Sequence, residues 1–290
     1  MKKTVVIDIG SNSVRKQVFS GGNVLLREVI TCQLSLGIKD KKLANKSINR
    51  TFEALDRLIL CELNRENQLF AFATACVRNS VNGGDFCKEF FARYKIKLNV
   101  LSGEEEAEMG MLGALSGGDG TVIDVGGASS EIAAASGGKI IYSHSMQDGA
   151  VTLTDAFLKD RQAAEKYLDK IKEHFKSVTV VEPVYAIGGT ANTLAFIGAG
   201  LESYDAEKSE GYVLSIDELQ ARVNDFYLFS PNEIANKYKI EQKRANVIHS
   251  GALILLGLVK HLGVSKIILT ENDNLYGYYL KKTKGKKYEK

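Results

Sequence analysis

The chain is poor in the residues that build stapled or metal-centred scaffolds. Its four cysteines, Cys32, Cys61, Cys76 and Cys87, all fall in the first third of 290 residues, and none shows a Cys-x-x-Cys spacing. That excludes a disulfide or zinc framework and predicts reduced thiols in a cytoplasmic protein. The four histidines, His144, His174, His249 and His261, show no metal-ligand spacing either. A net charge of +3 is too small to argue for wrapping nucleic acid, so no nucleic-acid partner is expected. The longest apolar run, Gly251 to Val259, is far short of the ~20 residues that span a bilayer, so no membrane association is expected. Asp8 follows so closely on Lys2 and Lys3 that no signal-peptide apolar region forms. What remains is ordinary for a globular protein, 44% hydrophobic and 25% charged, and long enough to bury a core without staples. The lysine-rich stretch from Lys281 to Lys290 reads as a solvated, frayed tail.

The most informative stretch is Thr121-Val-Ile-Asp-Val-Gly-Gly-Ala-Ser-Ser-Glu131, because it repeats, with changes, Thr4-Val-Val-Ile-Asp-Ile-Gly-Ser-Asn-Ser13. Each copy is a β-branched run ending in Asp, then glycine with small polar residues, then a second apolar run. The pattern predicts strand, tight turn, strand. Glycine would supply φ > 0 there and leave backbone N–H groups bare, a cradle for anions such as phosphate. The Asp closing each first strand, Asp8 and Asp124, adds a carboxylate suited to a hard cation such as Mg²⁺. Either copy alone would read as an ordinary hairpin. The repeat argues for two similar half-domains gripping a phosphate compound between them.

Around these turns the spacing predicts an α/β chain. Strands are expected at 5–9, 14–19 and 24–30, a helix at 42–63 and a strand at 69–74. A helix at 86–94, a strand at 97–101 and a helix at 102–115 follow. Ser116-Gly-Gly-Asp-Gly120 marks a boundary, giving domains 1–117 and 118–290. The second half restarts with strands at 121–125, 129–135 and 139–144. Helix 163–175, strand 178–187 (broken near Pro183), helix 191–197, helices 216–229 and 231–239, one long helix 242–262, strand 266–269 and helix 274–281 complete it.

Three further features carry candidate chemistry. Arg78 lies just past a strand end, where ligand sites gather in α/β sheets, although a loop arginine is more often a surface charge. Ser102 and Glu105 fit the S-x-x-E capping box, which gives Glu105 a structural task. Glu106 points about 100° away from it, without a local partner, and reads equally as a catalytic carboxylate or as a first-turn acid complementing the helix dipole. Gly188-Gly-Thr190 is a third glycine turn, at a strand-to-helix junction, and a possible anion or nucleotide seat through Gly189 and Thr190.

Taken in order, Ile7-Asp-Ile-Gly-Ser-Asn-Ser-Val-Arg15, Ala73-Thr-Ala-Cys-Val-Arg78, Leu101-Ser-Gly-Glu-Glu-Glu-Ala107, Val122-Ile-Asp-Val-Gly-Gly-Ala-Ser-Ser-Glu131, Ile187-Gly-Gly-Thr-Ala191 and Arg244-Ala-Asn-Val-Ile-His-Ser-Gly-Ala252 resemble the exopolyphosphatase / guanosine pentaphosphate phosphohydrolase (Ppx/GppA) family. The resemblance implies an actin-like (ASKHA, RNase H-like) α/β fold with two similar domains around a central cleft. It implies hydrolysis of a terminal phosphoanhydride, in inorganic polyphosphate or in guanosine pentaphosphate, with Mg²⁺ or Mn²⁺, and polyphosphate or guanosine penta- or tetraphosphate as binding partners. By the same resemblance Glu106 is the catalytic glutamate. Asp124 and Glu131 are metal-associated acids and Arg78 binds phosphate; from the turn pattern itself Asp8 is a further candidate metal ligand, and the turns Gly10, Ser11, Asn12, Ser13 and Gly126, Gly127, Ala128, Ser129 are candidate anion seats.

The chain departs from the family pattern at Ala128, where a third glycine is usual and a Cβ would crowd a phosphate, and at Ser130 in place of Thr. Thr152 and Tyr276 stand where arginines are common, and these losses of positive charge argue against strong binding of long polyphosphate. An ATP-dependent kinase of the same superfamily and a non-catalytic alarmone or nucleotide sensor remain as alternatives, and a homodimer is left open.

Overall fold

A computed structural model describes residues 3–63 and 66–285. The second half of the lysine-rich tail, 286–290, lies outside the described residues. Contacts divide the chain into two units, separating Glu106 from Ala107 and assigning Lys282–Lys284 to the first.

Unit 1 begins with the strands β1 (Thr4–Ile9), β2 (Ser13–Ser20) and β3 (Asn23–Thr31). Helix α1 (Asn45–Leu63), strand β4 (Gln68–Ala73), helices α2 (Ala75–Arg78) and α3 (Gly83–Tyr94), strand β5 (Leu98–Val100) and the start of helix α4 (Gly103–Leu115) complete it. The sheet order is β3-β2-β1-β4-β5, antiparallel across β1, β2 and β3 and parallel from β1 through β4 to β5. β1 is central in the sheet, and both its faces are covered. That is why Val5, Val6, Ile7 and Ile9 form a continuous apolar run rather than an alternating one, each fully buried. Phe52, Leu55 and Ile59 of α1 recur at helical spacing and pack on this sheet with Phe86 and Phe90 of α3. α1 starts at Asn45 rather than at 42 because Asn82 holds both backbone groups of Leu43, accepting from its N–H at 2.9 Å and donating to its carbonyl at 3.2 Å.

Unit 2 repeats the pattern. After β6 (Gly120–Val125), β7 (Ser130–Ser136) and β8 (Lys139–Met146) come α5 (Ala150–Phe157), α6 (Arg161–His174), β9 (Val184–Ile187), α7 (Gly188–Gly198) and α8 (Ala206–Ser209). Then follow β10 (Tyr212–Ser215), α9 (Ile216–Leu228), α10 (Pro231–Tyr238), α11 (Gln242–Ala245), α12 (Ile248–Leu262), β11 (Lys266–Leu269) and α13 (Asn274–Lys284). Its sheet runs β10-β11-β9-β6-β7-β8. Read from the meander inward, β8-β7-β6-β9-β11 is the same path as β3-β2-β1-β4-β5. Helix α12 is buried nearly all round, as its apolar run predicts, and anchors the larger core.

Three expectations shift. The boundary expected at 117/118 differs from the division between Glu106 and Ala107. The rest of α4 is packed into unit 2 through glycines, for a Cβ at Gly113 would lie 2.1 Å from the Asp273 carbonyl oxygen and one at Gly277 1.8 Å from that of Met109. Ser116–Gly120 is only the turn that follows. The long helix expected over 242–262 is two, because Val247 leaves helical geometry at the junction and packs with Ala150 and Val151 of α5. β9 begins only after Pro183: that residue has no N–H for a ladder, and Thr121 instead exchanges hydrogen bonds with Val181 through its hydroxyl. β10 was not anticipated from sequence.

His249 sits in the α12 core, 1% exposed. Its Nε2 lies 2.8 Å from the Leu158 carbonyl and so carries the ring's proton, and its ring meets Tyr227 edge-on. Burial holds its pKa down to about 4, with the Leu158 carbonyl opposing that shift and Lys159 adding to it. Unfolded, this imidazole takes a proton near pH 6.5, so between 6.5 and 4 the unfolded chain binds more protons and stability falls as pH falls. The expected loss is about 3 kcal/mol by pH 4. Urea melts at pH 7 and pH 4.5 check it: the stability of His249→Phe relative to wild type should rise by about 2–3 kcal/mol on going from pH 7 to pH 4.5, and an unchanged relative stability would exclude His249 as a source of the loss.

Candidate active site

The duplicated turn is built alike in both units. In unit 1 the Gly10 N–H donates to the Ser13 carbonyl at 3.0 Å; in unit 2 the Gly126 N–H donates to the Ser129 carbonyl at 3.0 Å. Contrary to expectation, none of Gly10, Gly126 and Gly127 has positive φ. Gly10 and Gly126 serve close approach instead, since a Cβ would stand 3.1 Å and 3.2 Å from those same carbonyl oxygens. Ala128 also lacks positive φ, so a third glycine is not needed to form the turn. The amides of Ser11 and Asn12, and of Gly127 and Ala128, donate to no backbone carbonyl among the described residues. They are the bare N–H groups that suit an anion. The carbonyls of Gly126 and Gly127 face the other way and accept from the first amides of α5.

The register shows where the copies diverge. Asp8 stands directly across from Arg15, whereas Asp124 stands directly across from Glu131. Asp8 is 3% exposed and accepts from the Arg15 guanidinium through Nε at 2.8 Å and through Nη2. The acid expected to bind metal in unit 1 therefore belongs to an ion pair. In unit 2 the same two positions carry two carboxylates on one sheet face. Asp124 Oδ2 accepts from Asn274 Nδ2 at 3.0 Å, and Glu131 Oε1 accepts from Ser145 Oγ at 2.7 Å. Among the described residues no group of three or more metal-ligating side chains occurs. The pair Asp124 and Glu131 nonetheless fits Mg²⁺, which takes one or two carboxylates and completes its shell with water and phosphate oxygens.

Glu106 lies in the first turn of α4, 6% exposed, with Ser102 and Glu105 closing the expected capping box at 2.9 Å and 3.1 Å. Its Oε2 accepts from Arg78 Nη1 at 3.0 Å, and the same nitrogen donates to the Leu101 carbonyl at 2.6 Å. Nε and Nη2 of Arg78 donate to nothing among the described residues, which leaves one edge of the guanidinium for a phosphate. Burial lifts the Glu106 pKa to about 7; Arg78 opposes the rise, Asp8 adds to it and Arg15 reduces it. A carboxylate balanced near neutrality suits proton transfer at neutral pH.

The third glycine turn is shaped for contact. Gly188 has φ +84° and no room for a side chain, because a Cβ would stand 2.4 Å from Asp124 Oδ1. A Cβ on Gly189 would stand 2.7 Å from Arg244 Nη1, so that guanidinium lies on the turn. Thr190 is 3% exposed and its hydroxyl donates to the Val125 carbonyl at 3.2 Å, a structural tie at the end of β6. Sequence reasoning missed Arg15, Arg244, Asn274 and Ser145 as parts of these sites. Arg15 was findable, for a turn closing Gly10 to Ser13 fixes the register that sets it across from Asp8.

Two α/β units built on one strand path, each opening with the same carboxylate-bearing turn, define an actin-like protein. The model of the Ppx/GppA phosphatase family matches residues 14–273. The chain belongs to that family. A bifunctional 3-dehydroquinate synthase/phosphatase from Fusobacterium nucleatum is 29% identical over 97% of this chain and 46% of its own length, so the chain spans about half of that relative. An exopolyphosphatase from Cytophaga hutchinsonii superposes with TM-score 0.88 at 19% identity, over 99% of each chain. The Aquifex aeolicus Ppx/GppA family member gives 0.80 at 23% identity, over 98% of each. At these identities the structural likeness concerns the fold.

Proposed function

We propose that this chain hydrolyses the terminal phosphoanhydride bond of a phosphate chain, in inorganic polyphosphate or guanosine pentaphosphate. The observation that carries the reading is Glu106, a buried carboxylate with its pKa near 7, hydrogen-bonded to an arginine that has N–H groups to spare. Glu106 orients a water and takes its proton as the oxygen attacks the terminal phosphorus; the phosphorus–bridging-oxygen bond breaks, and the shortened chain leaves with that oxygen. Arg78 and the bare turn amides hold phosphate oxygens and offset their charge. Asp124 and Glu131 would hold the divalent cation, Mg²⁺ or Mn²⁺, which when bound draws charge from phosphate oxygens.

Phosphate release from both substrates, with and without Mg²⁺, tests the reading. Release that requires the cation supports it, and the faster substrate names the preference. ADP formed from ATP only when an acceptor is present would instead favour the kinase alternative. Tight nucleotide binding without product over hours would favour a sensor.

A further inference from the structure

The two carboxylates of unit 2 do not hold their positions alone. β6, β7 and β8 place Asp124, Glu131 and Ser145 in one row across the sheet. Ser145 donates to Glu131 from the next strand, and Asn274 donates to Asp124 from the first turn of α13. Asn274 is 3% exposed, and its Oδ1 has no hydrogen-bond partner among the described residues, so the donation to Asp124 is the hydrogen bond its side chain makes. Gly188 lies so close to Asp124 that a Cβ there would stand 2.4 Å from Oδ1. Asp124 thus has a glycine in close approach and accepts from an amide, and Glu131 is tethered by a hydroxyl. Unit 1 has a different row, Asp8, Arg15 and Val29, in which an arginine performs the holding.

We infer that Asn274 and Ser145 are positioning residues that set the affinity of unit 2 for a divalent cation, by fixing the carboxylates that would ligate it. The inference rests on the reading of Asp124 and Glu131 as that cation's ligands. The reason is energetic. A carboxylate already held in its ligating rotamer by a hydrogen-bond donor gives up little conformational freedom when the ion arrives.

The test is Mn²⁺ binding by electron paramagnetic resonance, on the full chain without substrate. Asn274→Leu, of similar shape but lacking the donor, and Ser145→Ala should each weaken Mn²⁺ by roughly 10–100-fold. Ser145→Thr keeps the hydroxyl and should restore affinity to within about threefold, a rescue that a packing role alone would not produce. Thermal melts in metal-free buffer establish that each variant is folded; if Asn274→Leu is not, the Ser145 pair decides. Folded Asn274→Leu and Ser145→Ala proteins that bind Mn²⁺ as the wild type does would overturn the inference. Asp124→Asn is the separate control. If it too binds as the wild type does, the assignment of the cation to this pair fails first, and the positioning role falls with it.

Discussion

Glu106→Gln should lower the rate of phosphate release by roughly 10²–10⁴-fold while substrate still binds, because the amide keeps the shape and loses the base. The wild-type kcat/KM should rise with pH and level off above about 7, where the carboxyl has lost its proton. The same group makes a second, opposite prediction for stability. Unfolded, the Glu106 carboxyl loses its proton near 4.5; folded, near 7. Between these values the native chain binds more protons, so stability falls as pH rises from 4.5 to 7 and stays lower above it. A neutral glutamine escapes that loss. At pH 8 Glu106→Gln should therefore be more stable than the wild type by on the order of 2–3 kcal/mol, and at pH 4 about equal. Losing activity while gaining stability is what a group placed for chemistry at the expense of folding predicts. Glu105→Gln is the control: its capping bonds survive in the amide, and both rate and stability should stay near wild type. A Glu106→Gln enzyme with full turnover would remove Glu106 from the mechanism.

How much of this was written in the sequence depends on the range over which each interaction acts. The strand-turn-strand repeat was legible because β-branched runs and a small-residue turn are local signals, and the capping box was legible because its partners lie three residues apart. The α4 to α13 contact was not: its glycines read as breaks or as tolerated helix residues, and only the fold brings Gly113 onto the Asp273 carbonyl. That is also why the boundary fell on Ser116–Gly120, a conspicuous glycine run, and not within a helix. The hydrogen bond from Asn274 to Asp124 joins side chains 150 positions apart, beyond any spacing rule. The ion pair at Asp8 was hidden for a subtler reason. Its twin in the repeat faces an acid, but one exchanged position, Arg15 for Glu131, turns a carboxylate pair into an ion pair.

Gly277→Ala should destabilise the protein by about 3 kcal/mol, at the upper end for overpacking, because the obstruction is backbone and cannot turn aside as a side chain would. The new methyl would stand 1.8 Å from the Met109 carbonyl oxygen and 2.9 Å from the Gly113 nitrogen. α13 must then move off α4, and the gain of up to about 1 kcal/mol in helix propensity from replacing a glycine is too small to offset that. Gly84→Ala in α3 separates the two effects, for a Cβ there meets nothing within 4 Å and should leave stability unchanged or slightly raised. Function should follow the displacement. Asn274 lies three residues before Gly277 on the same helix, and its Oδ1 sits 3.0 Å from where a Cβ on Gly110 would be. Moving α13 draws Asn274 away from Asp124, so Mn²⁺ affinity should weaken in Gly277→Ala under conditions where the variant remains folded. Urea melts and Mn²⁺ titration on the same protein check both parts. If the variant is as stable as the wild type, α13 and α4 are not locked by this contact. If it is destabilised but binds Mn²⁺ normally, the lock exists and does not hold the carboxylate.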